Sequence, residues 1–206
     1  MIEVLKRFVV IEGLDGAGAT TQMGSVTEAF DKSGVNCHAT FEPTSSPLGS
    51  LVRSVLRKEI VTTPLALALL FSADREDHLY NPINGIVEKM EEGTVVISDR
   101  YLFSSLAYQA VECGFEKVRK LNKYPYPKFL FYLDTPVEDC IKRIELRDNG
   151  RELFEKEEFL TKVRDNYEVI FSALPEEVVF VRIDGTKSKE EITKIIVSKL
   201  KEFSLL

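Results

Sequence analysis

Short apolar runs alternate along the chain with stretches in which apolar residues recur at three- and four-residue intervals, the pattern of strands interleaved with helices. Phe8 to Ile11 is a continuous apolar run that stops at Glu12 and Gly13, as a strand buried on both faces does on meeting a turn. From Thr20 the spacing becomes helical through Met23, Val26 and Phe30 and ends at Lys32, Ser33 and Gly34. Val35 to Phe41 predicts a second strand, Pro43 to Ser50 a polar connection, and Leu48, Val52, Val55 and Leu56 the apolar stripe of a helix. Thr63 before Pro64 marks another helix start, with Leu65, Leu69 and Ser72 at helical intervals through to Leu79. Ile83, Ile86, Val87 and Met90 continue that pattern to Gly93. Thr94 to Ser98 predicts a central strand ending at Asp99, and Leu102 to Cys113 a helix. After a mixed segment with Pro125 and Pro127, Phe129 to Leu133 and Val178 to Ile183 supply the last two strands. Thr135, Pro136 and Glu138 predict a helix with Pro136 at its first position and a capping box. Phe159, Val163, Tyr167 and Ile170 mark the next helix, and the Ser188 to Glu191 capping pattern opens a terminal one.

Such alternation predicts an α/β fold, a three-layer α/β/α sandwich around about five mostly parallel strands. Neither a repeat nor a linker divides the chain, so residues 1–206 read as a single domain. With 44% hydrophobic residues there is material for a sizeable core, and the formal net charge of −6 argues against a surface built to bind nucleic acid. Cys37, Cys113 and Cys140 lack the density of a disulfide framework and the spacing of a zinc site, which leaves buried free thiols. The apolar stretches are too short for a membrane span and no export signal is apparent, which points to a cytoplasmic protein.

The chemistry starts at Gly13-Leu14-Asp15-Gly16-Ala17-Gly18-Ala19-Thr20-Thr21, between a predicted strand and a helix. Glycines let successive backbone N–H groups turn toward one centre, and the helix start adds its positive end, so the segment is a phosphate cradle. A complete nucleotide P-loop carries lysine where this chain has Ala19. Thr20 keeps the hydroxyl that can join a Mg²⁺ shell, and Asp15 is an odd carboxylate for an anion site unless it meets a neutral hydroxyl.

The remaining candidates cluster near strand ends, where open parallel sheets bind ligands. Asp99, at a strand end, is a second Mg²⁺ candidate, with a helix cap as its plain alternative. Arg100 offers a planar fork for phosphate oxygens. Phe71 and Arg75, four apart, can present a ring and a directional donor to one ligand, though such a pair alone is more often core packing beside a surface charge. Ser105 and Tyr108, three apart, can supply a hydroxyl and a wall, or simply a cap and a packed ring. Arg143, Arg147 and Arg151 form a sparse basic set at about residues 142–156 that a lid could bring to the phosphates, or else a solvated helix face.

Taken in order, the Gly13 to Thr21 loop, Phe41-Glu42-Pro43-Thr44, Leu69-Leu70-Phe71 with Asp74-Arg75, Asp99-Arg100-Tyr101 and the arginine-bearing lid resemble the thymidylate kinases of the nucleoside monophosphate kinase group. The resemblance runs through almost the whole chain. It implies a P-loop kinase fold, ATP as donor, dTMP as acceptor, Mg²⁺, and often a homodimer. By the same resemblance, Gly13, Asp15, Gly16, Ala17, Gly18, Ala19, Thr20, Thr21, Arg143 and Asp184 belong to the ATP site. Glu42, Pro43, Arg53 and Ser104 join the acceptor site. Phe71 lies against the thymine ring, Arg75 near its O4, Arg100 on the acceptor phosphate, Ser105 at the thymine edge, Tyr108 beside C2′ and Asp15 at the 3′-hydroxyl. Two departures bear on activity. Ala19 replaces the family lysine, and Phe41 stands where many bacterial relatives have arginine, which shifts the acceptor phosphate to Arg100 or Arg53. Arg147 and Arg151 fit the subgroup that supplies positive charge from its lid. Another nucleoside monophosphate or deoxynucleoside kinase, or a nucleotide-binding protein weakened by the missing lysine, are the alternatives.

Overall fold

The computed structural model describes residues 2–146 and 157–206. Arg147, Arg151 and most of the expected lid lie outside the described residues. Five strands, β1 (Val4–Gly13), β2 (Cys37–Phe41), β3 (Val95–Asp99), β4 (Tyr126–Asp134) and β5 (Val179–Asp184), form one parallel sheet in the order β2-β3-β1-β4-β5. The helices are α1 (Ala19–Ser33), α2 (Pro47–Leu56), α3 (Pro64–Tyr80), α4 (Ile86–Glu91), α5 (Leu102–Tyr108), α6 (Ala110–Cys113), α7 (Phe115–Leu121), α8 (Val137–Glu145), α9 (Glu157–Phe171) and α10 (Lys189–Glu202).

Strand order and the right-handed rule for parallel crossovers place these helices. The β1-to-β2 connection runs one way along the sheet; those from β2 to β3, β3 to β4 and β4 to β5 run the other. Helix α1 therefore lies on one face with the terminal α10, and α2 to α9 on the other, as the packing of α1 on α10 and of α5 on α9 bears out. The chain leaves β1 and its neighbour β3 toward opposite faces, which opens a crevice at their carboxyl ends. Register brings Ile11 of β1 opposite Asp99 of β3 and Phe131 of β4, so Gly13 and Arg100 both open at that crevice. Beneath it β1 and β3 are buried throughout their inner runs, from Phe8 to Gly13 and from Val95 to Asp99, the continuous apolar pattern expected of central parallel strands.

Several local expectations change. The helical stripe does not continue through Ile83: α3 stops at Tyr80, Asn81 is extended at φ −58°, ψ 126° before Pro82, and Ile83 is 88% exposed. Proline forces the preceding residue out of the helical region, and the Asn81 side chain then accepts the Ile83 N–H at 3.0 Å. The mixed segment before Pro125 contains α7. At α8 the capping box is absent, because Pro136 is the cap residue at ψ 139° rather than the first helical one, which moves Glu138 one place too early. The Thr135 hydroxyl, left without a partner, packs on Gly185. The Ser188–Glu191 box at α10 forms as expected. All three thiols are free, but only Cys140 is buried, Cys37 and Cys113 being half-buried.

Candidate active site

The loop after β1 turns through Leu14, whose carbonyl accepts the Ala17 N–H at 2.9 Å. Gly16 at φ 85° and Gly18 at φ 103° use the left-handed region that glycine enters without steric cost. Gly16 is doubly required, since a Cβ there would stand 2.5 Å from the Cys140 carbonyl oxygen. Helix α1 starts at Ala19 with no side-chain cap, which leaves its first N–H groups for an anion. Ala19 itself is buried, and Thr20 Oγ1 donates to Asp99 Oδ2 at 2.5 Å across the β1–β3 crevice. A hydroxyl and a carboxylate are hard oxygens, the donor set that suits Mg²⁺ alongside phosphate oxygens and water.

Next to this loop, Asp15, Glu42, Pro43, Phe71, Arg75, Arg100, Ser104, Ser105 and Tyr108 line one cavity of about 140 Å³. That is close to the ~150 Å³ that accommodates one benzene ring, so a six-membered ring fits and a fused bicyclic base is crowded. Leu56, Tyr101 and Gln109 complete the walls; the sequence shows Leu56 only as part of a helix stripe and Tyr101 only within its motif, and gives no signal for Gln109. Gln109 Oε1 is buried with no partner, an orphan acceptor on the cavity wall. Arg53 stands behind the wall: its guanidinium donates to the Pro43 carbonyl at 2.8 Å, to that of Thr44, and to Ser50 Oγ at 3.0 Å. It braces the cis Glu42–Pro43 turn, which Asp74 also holds by accepting the Thr44 N–H at 2.7 Å and the Thr44 hydroxyl at 2.5 Å.

Arg75 is fully buried, and its five donors can be counted. Nε donates to Glu42 Oε2 at 2.9 Å, with Nη2 ion-paired to the same oxygen at 2.7 Å; Nη2 donates to Ser105 Oγ at 3.0 Å and Nη1 to Asn122 Oδ1. One Nη1 hydrogen is not used by these partners. Ser105, already accepting from Arg75, keeps its own O–H to donate, so this end of the cavity presents donors and suits a carbonyl oxygen. Burial would raise the Glu42 carboxyl, but the Arg75 guanidinium and His78 more than offset it and hold it below its ordinary value. His78 Nδ1 lies 3.0 Å from Glu42 Oε1, and its Nε2 lies 2.7 Å from Thr40 Oγ1.

At the other end Arg100 adopts φ 69°, left-handed for a residue with a Cβ, a conformation that costs on the order of 1–3 kcal/mol. It is held by its N–H to the Ile11 carbonyl at 3.0 Å and by its carbonyl accepting the Ser98 hydroxyl at 2.7 Å. The guanidinium donates to Ser104 Oγ at 2.9 Å and to Asp15 Oδ1 at 2.6 Å, and lies 5.2 Å from the Tyr108 ring centre. Burial works against this charge, but Tyr108, Asp15, Tyr167 and Asp99 around it win, and Arg100 stays protonated well above its ordinary range. The Tyr108 hydroxyl accepts the Asp15 N–H at 2.9 Å, so loop and cavity are joined twice. Beneath lies Glu12, wholly buried, whose carboxyl burial pushes up to about 6 against the opposing pull of Arg100 and its hydrogen-bond donors.

Arg143 of α8 donates to the Gly16 and Ala17 carbonyls at 3.3 Å and to that of Gly185 at 3.2 Å, clamping the loop to the turn after β5. Asp184 is exposed and accepts the Thr186 N–H and hydroxyl at 2.9 and 2.6 Å.

Known proteins similar to this chain fall in one family. A family model described as thymidylate kinase matches residues 11–196. A Treponema pallidum protein bearing a thymidylate kinase name is 37% identical over 209 residues, covering 100% of both chains. Proteins similarly named from Methanocaldococcus jannaschii and Pyrococcus horikoshii are 36% and 37% identical, each over 94% of this chain and 95% of their own.

Proposed function

The chain belongs to the thymidylate kinase family, and from that premise we propose that it transfers the γ-phosphoryl group of ATP to dTMP, giving ADP and dTDP. The observation that carries the reading is a cavity sized for one six-membered ring, donor-lined at one end by Arg75 and Ser105, that opens at its other end through the Arg100–Asp15 pair onto a phosphate-binding loop. In this reading Phe71 packs on the thymine ring, Arg75 and Ser105 donate to O4, and the orphan Gln109 Oε1 accepts from N3–H. Tyr108 bounds the sugar and disfavours a 2′-hydroxyl, Asp15 meets the 3′-hydroxyl, and Arg100 with Ser104 holds the phosphate.

The loop N–H groups and the start of α1 receive the ATP phosphates, with Arg143 and the Asp184 turn on the adenine side. The acceptor is itself an anion, so no general base is needed, and catalysis is alignment plus neutralisation of charge. Thr20 and Asp99 would hold Mg²⁺, which supplies positive charge at the phosphate oxygens when bound. Ala19 withholds one cation from the transferred group; Arg147 and Arg151, outside the described residues, make up part of it.

We extend the proposal to a cytoplasmic homodimer. Leu51 on α2, Ile60 and Val61 after it, and Leu65 and Leu69 on α3 are exposed apolar side chains on two helices that pack together, which suits self-association. No described helix is long and apolar enough to cross a membrane. The test is an acceptor panel with products resolved by mass: dTMP should give dTDP well above dUMP, dCMP or thymidine. Equal or better turnover of another acceptor would displace the assignment.

A further inference from the structure

Glu12 is absent from the lining of the active-site cavity and touches no predicted ligand, yet each of its oxygens takes two donors. Oε1 accepts the Tyr101 N–H at 2.9 Å and the Ser104 N–H at 3.2 Å, and Oε2 accepts the Ser104 hydroxyl at 2.6 Å and the Tyr167 hydroxyl at 2.8 Å. Ser104 has one hydroxyl proton, which it gives to Glu12 Oε2, and the Tyr167 hydroxyl, itself donating to the same carboxylate oxygen, stands 3.1 Å from the Ser104 oxygen. The Ser104 oxygen is thereby fixed as an acceptor, and Arg100 Nη1 meets it at 2.9 Å. With Nη1 so engaged, the planar guanidinium directs Nη2 to Asp15 at 2.6 Å. Tyr167, on α9, is wholly buried and braced by the rings of Tyr132 and Phe171 at 5.0 and 5.3 Å. It is absent from the cavity wall, so it reaches a ligand only through other groups.

We infer that Tyr167 and Glu12 are positioning residues that order the Ser104 hydroxyl and through it aim Arg100 at the acceptor's phosphate. The inference rests on the acceptor site proposed above and adds a residue pair that no ligand touches. Among the described residues, α9 and β1 thus share control of a side chain carried at the end of β3.

The relay acts on the phosphate and not on the base, so dTMP and thymidine separate it from a general loosening of the cavity. Binding of both is measured calorimetrically to the unmodified chain, to Tyr167→Phe, to Glu12→Gln and to the double variant, with thermal unfolding alongside. Tyr167→Phe keeps the ring and should weaken dTMP about fivefold, less than the full worth of its bond to a carboxylate because the effect reaches the phosphate only through Ser104 and Arg100, with thymidine changed less than about twofold. Glu12→Gln should weaken dTMP more than about tenfold, since it removes the charged acceptor. The double variant should bind dTMP no more weakly than Glu12→Gln alone, because both act through one hydroxyl. Equal losses on both ligands, an unchanged dTMP affinity, or additive losses overturn the relay. If Glu12→Gln does not fold, Tyr167→Phe decides alone. An unmodified chain that binds no dTMP refutes the acceptor assignment and the relay with it, whereas binding left undiminished in the variants refutes only the relay.

Discussion

Replacing Arg75 by lysine keeps the positive charge beside Glu42 and removes the fork, so it isolates what the fork contributes. In the folded protein Arg75 serves Glu42, Ser105 and Asn122 at once, and one Nη1 hydrogen is left over, which the proposed site gives to the acceptor base. An ammonium has three donors on one point and cannot span these partners. Glu42 keeps its countercharge, so the 3–5 kcal/mol penalty of a buried carboxylate stripped of its partner is largely avoided. Asn122 and Ser105 each lose a hydrogen bond, at about 1 kcal/mol apiece, which predicts a fall of about 2 kcal/mol in unfolding free energy. In the complex the base carbonyl loses its Arg75 donor, and an unsatisfied buried acceptor costs about 1–3 kcal/mol, or about 5- to 150-fold in kcat/KM for dTMP. A base with an amino group at that position never used the donor. The ratio of dTMP to dCMP turnover should therefore fall by the same factor while the KM for ATP stays put. The assay is steady-state kinetics on both acceptors at saturating ATP. An unchanged dTMP/dCMP ratio, or a rise in the KM for ATP matching the loss on dTMP, would refute the assignment of Arg75 to the base.

Three further outcomes follow from other groups. Introducing lysine at Ala19→Lys restores a cation at the head of α1 and should raise kcat by about 10²-fold, in the range of a single charge-stabilising donor, with little change in the KM for dTMP; unchanged turnover would mean that position 19 does not face the transferred phosphoryl group. Gln109→Met removes an orphaned buried amide oxygen, so thermal stability should rise by about 1 kcal/mol as dTMP affinity falls, and parallel movement of the two would contradict the orphan's proposed role. For Glu12, the folded protein retains a proton up to about 6 that the unfolded chain releases near 4.5. The stabilisation from that proton is full below the unfolded value and is lost as pH rises through the folded one, so stability relative to Glu12→Gln should drop by about 2 kcal/mol between pH 4.5 and 7. A difference flat with pH in denaturation experiments would show that Glu12 titrates normally.

The parts of the site written in local order were legible from the sequence. Gly13 to Thr21 between a strand and a helix, and Asp99-Arg100 after an apolar run, announce their positions through backbone chemistry, and the cavity gathers nine of the acceptor residues expected from the resemblance. Groups defined only by tertiary pairing were not legible. Glu12 reads as the polar end of a strand, and Tyr167 as one more ring in a helix stripe, until β1, α5 and α9 meet. His78 and Asn122 gain meaning only from Glu42 and Arg75. In the fold, periodicity outran the punctuation: the stripe through Ile83 ignored Pro82, and the box at Thr135 ignored the extended backbone that Pro136 adopts.

The most direct test of the whole account is the mass of the product formed from dTMP, with ATP and Mg²⁺ omitted in turn. The account predicts dTDP in the complete mixture, in amounts equal to the ADP formed, and none when either component is left out. ADP released without dTDP would contradict it, because the phosphate loop would then be working without the neighbouring cavity.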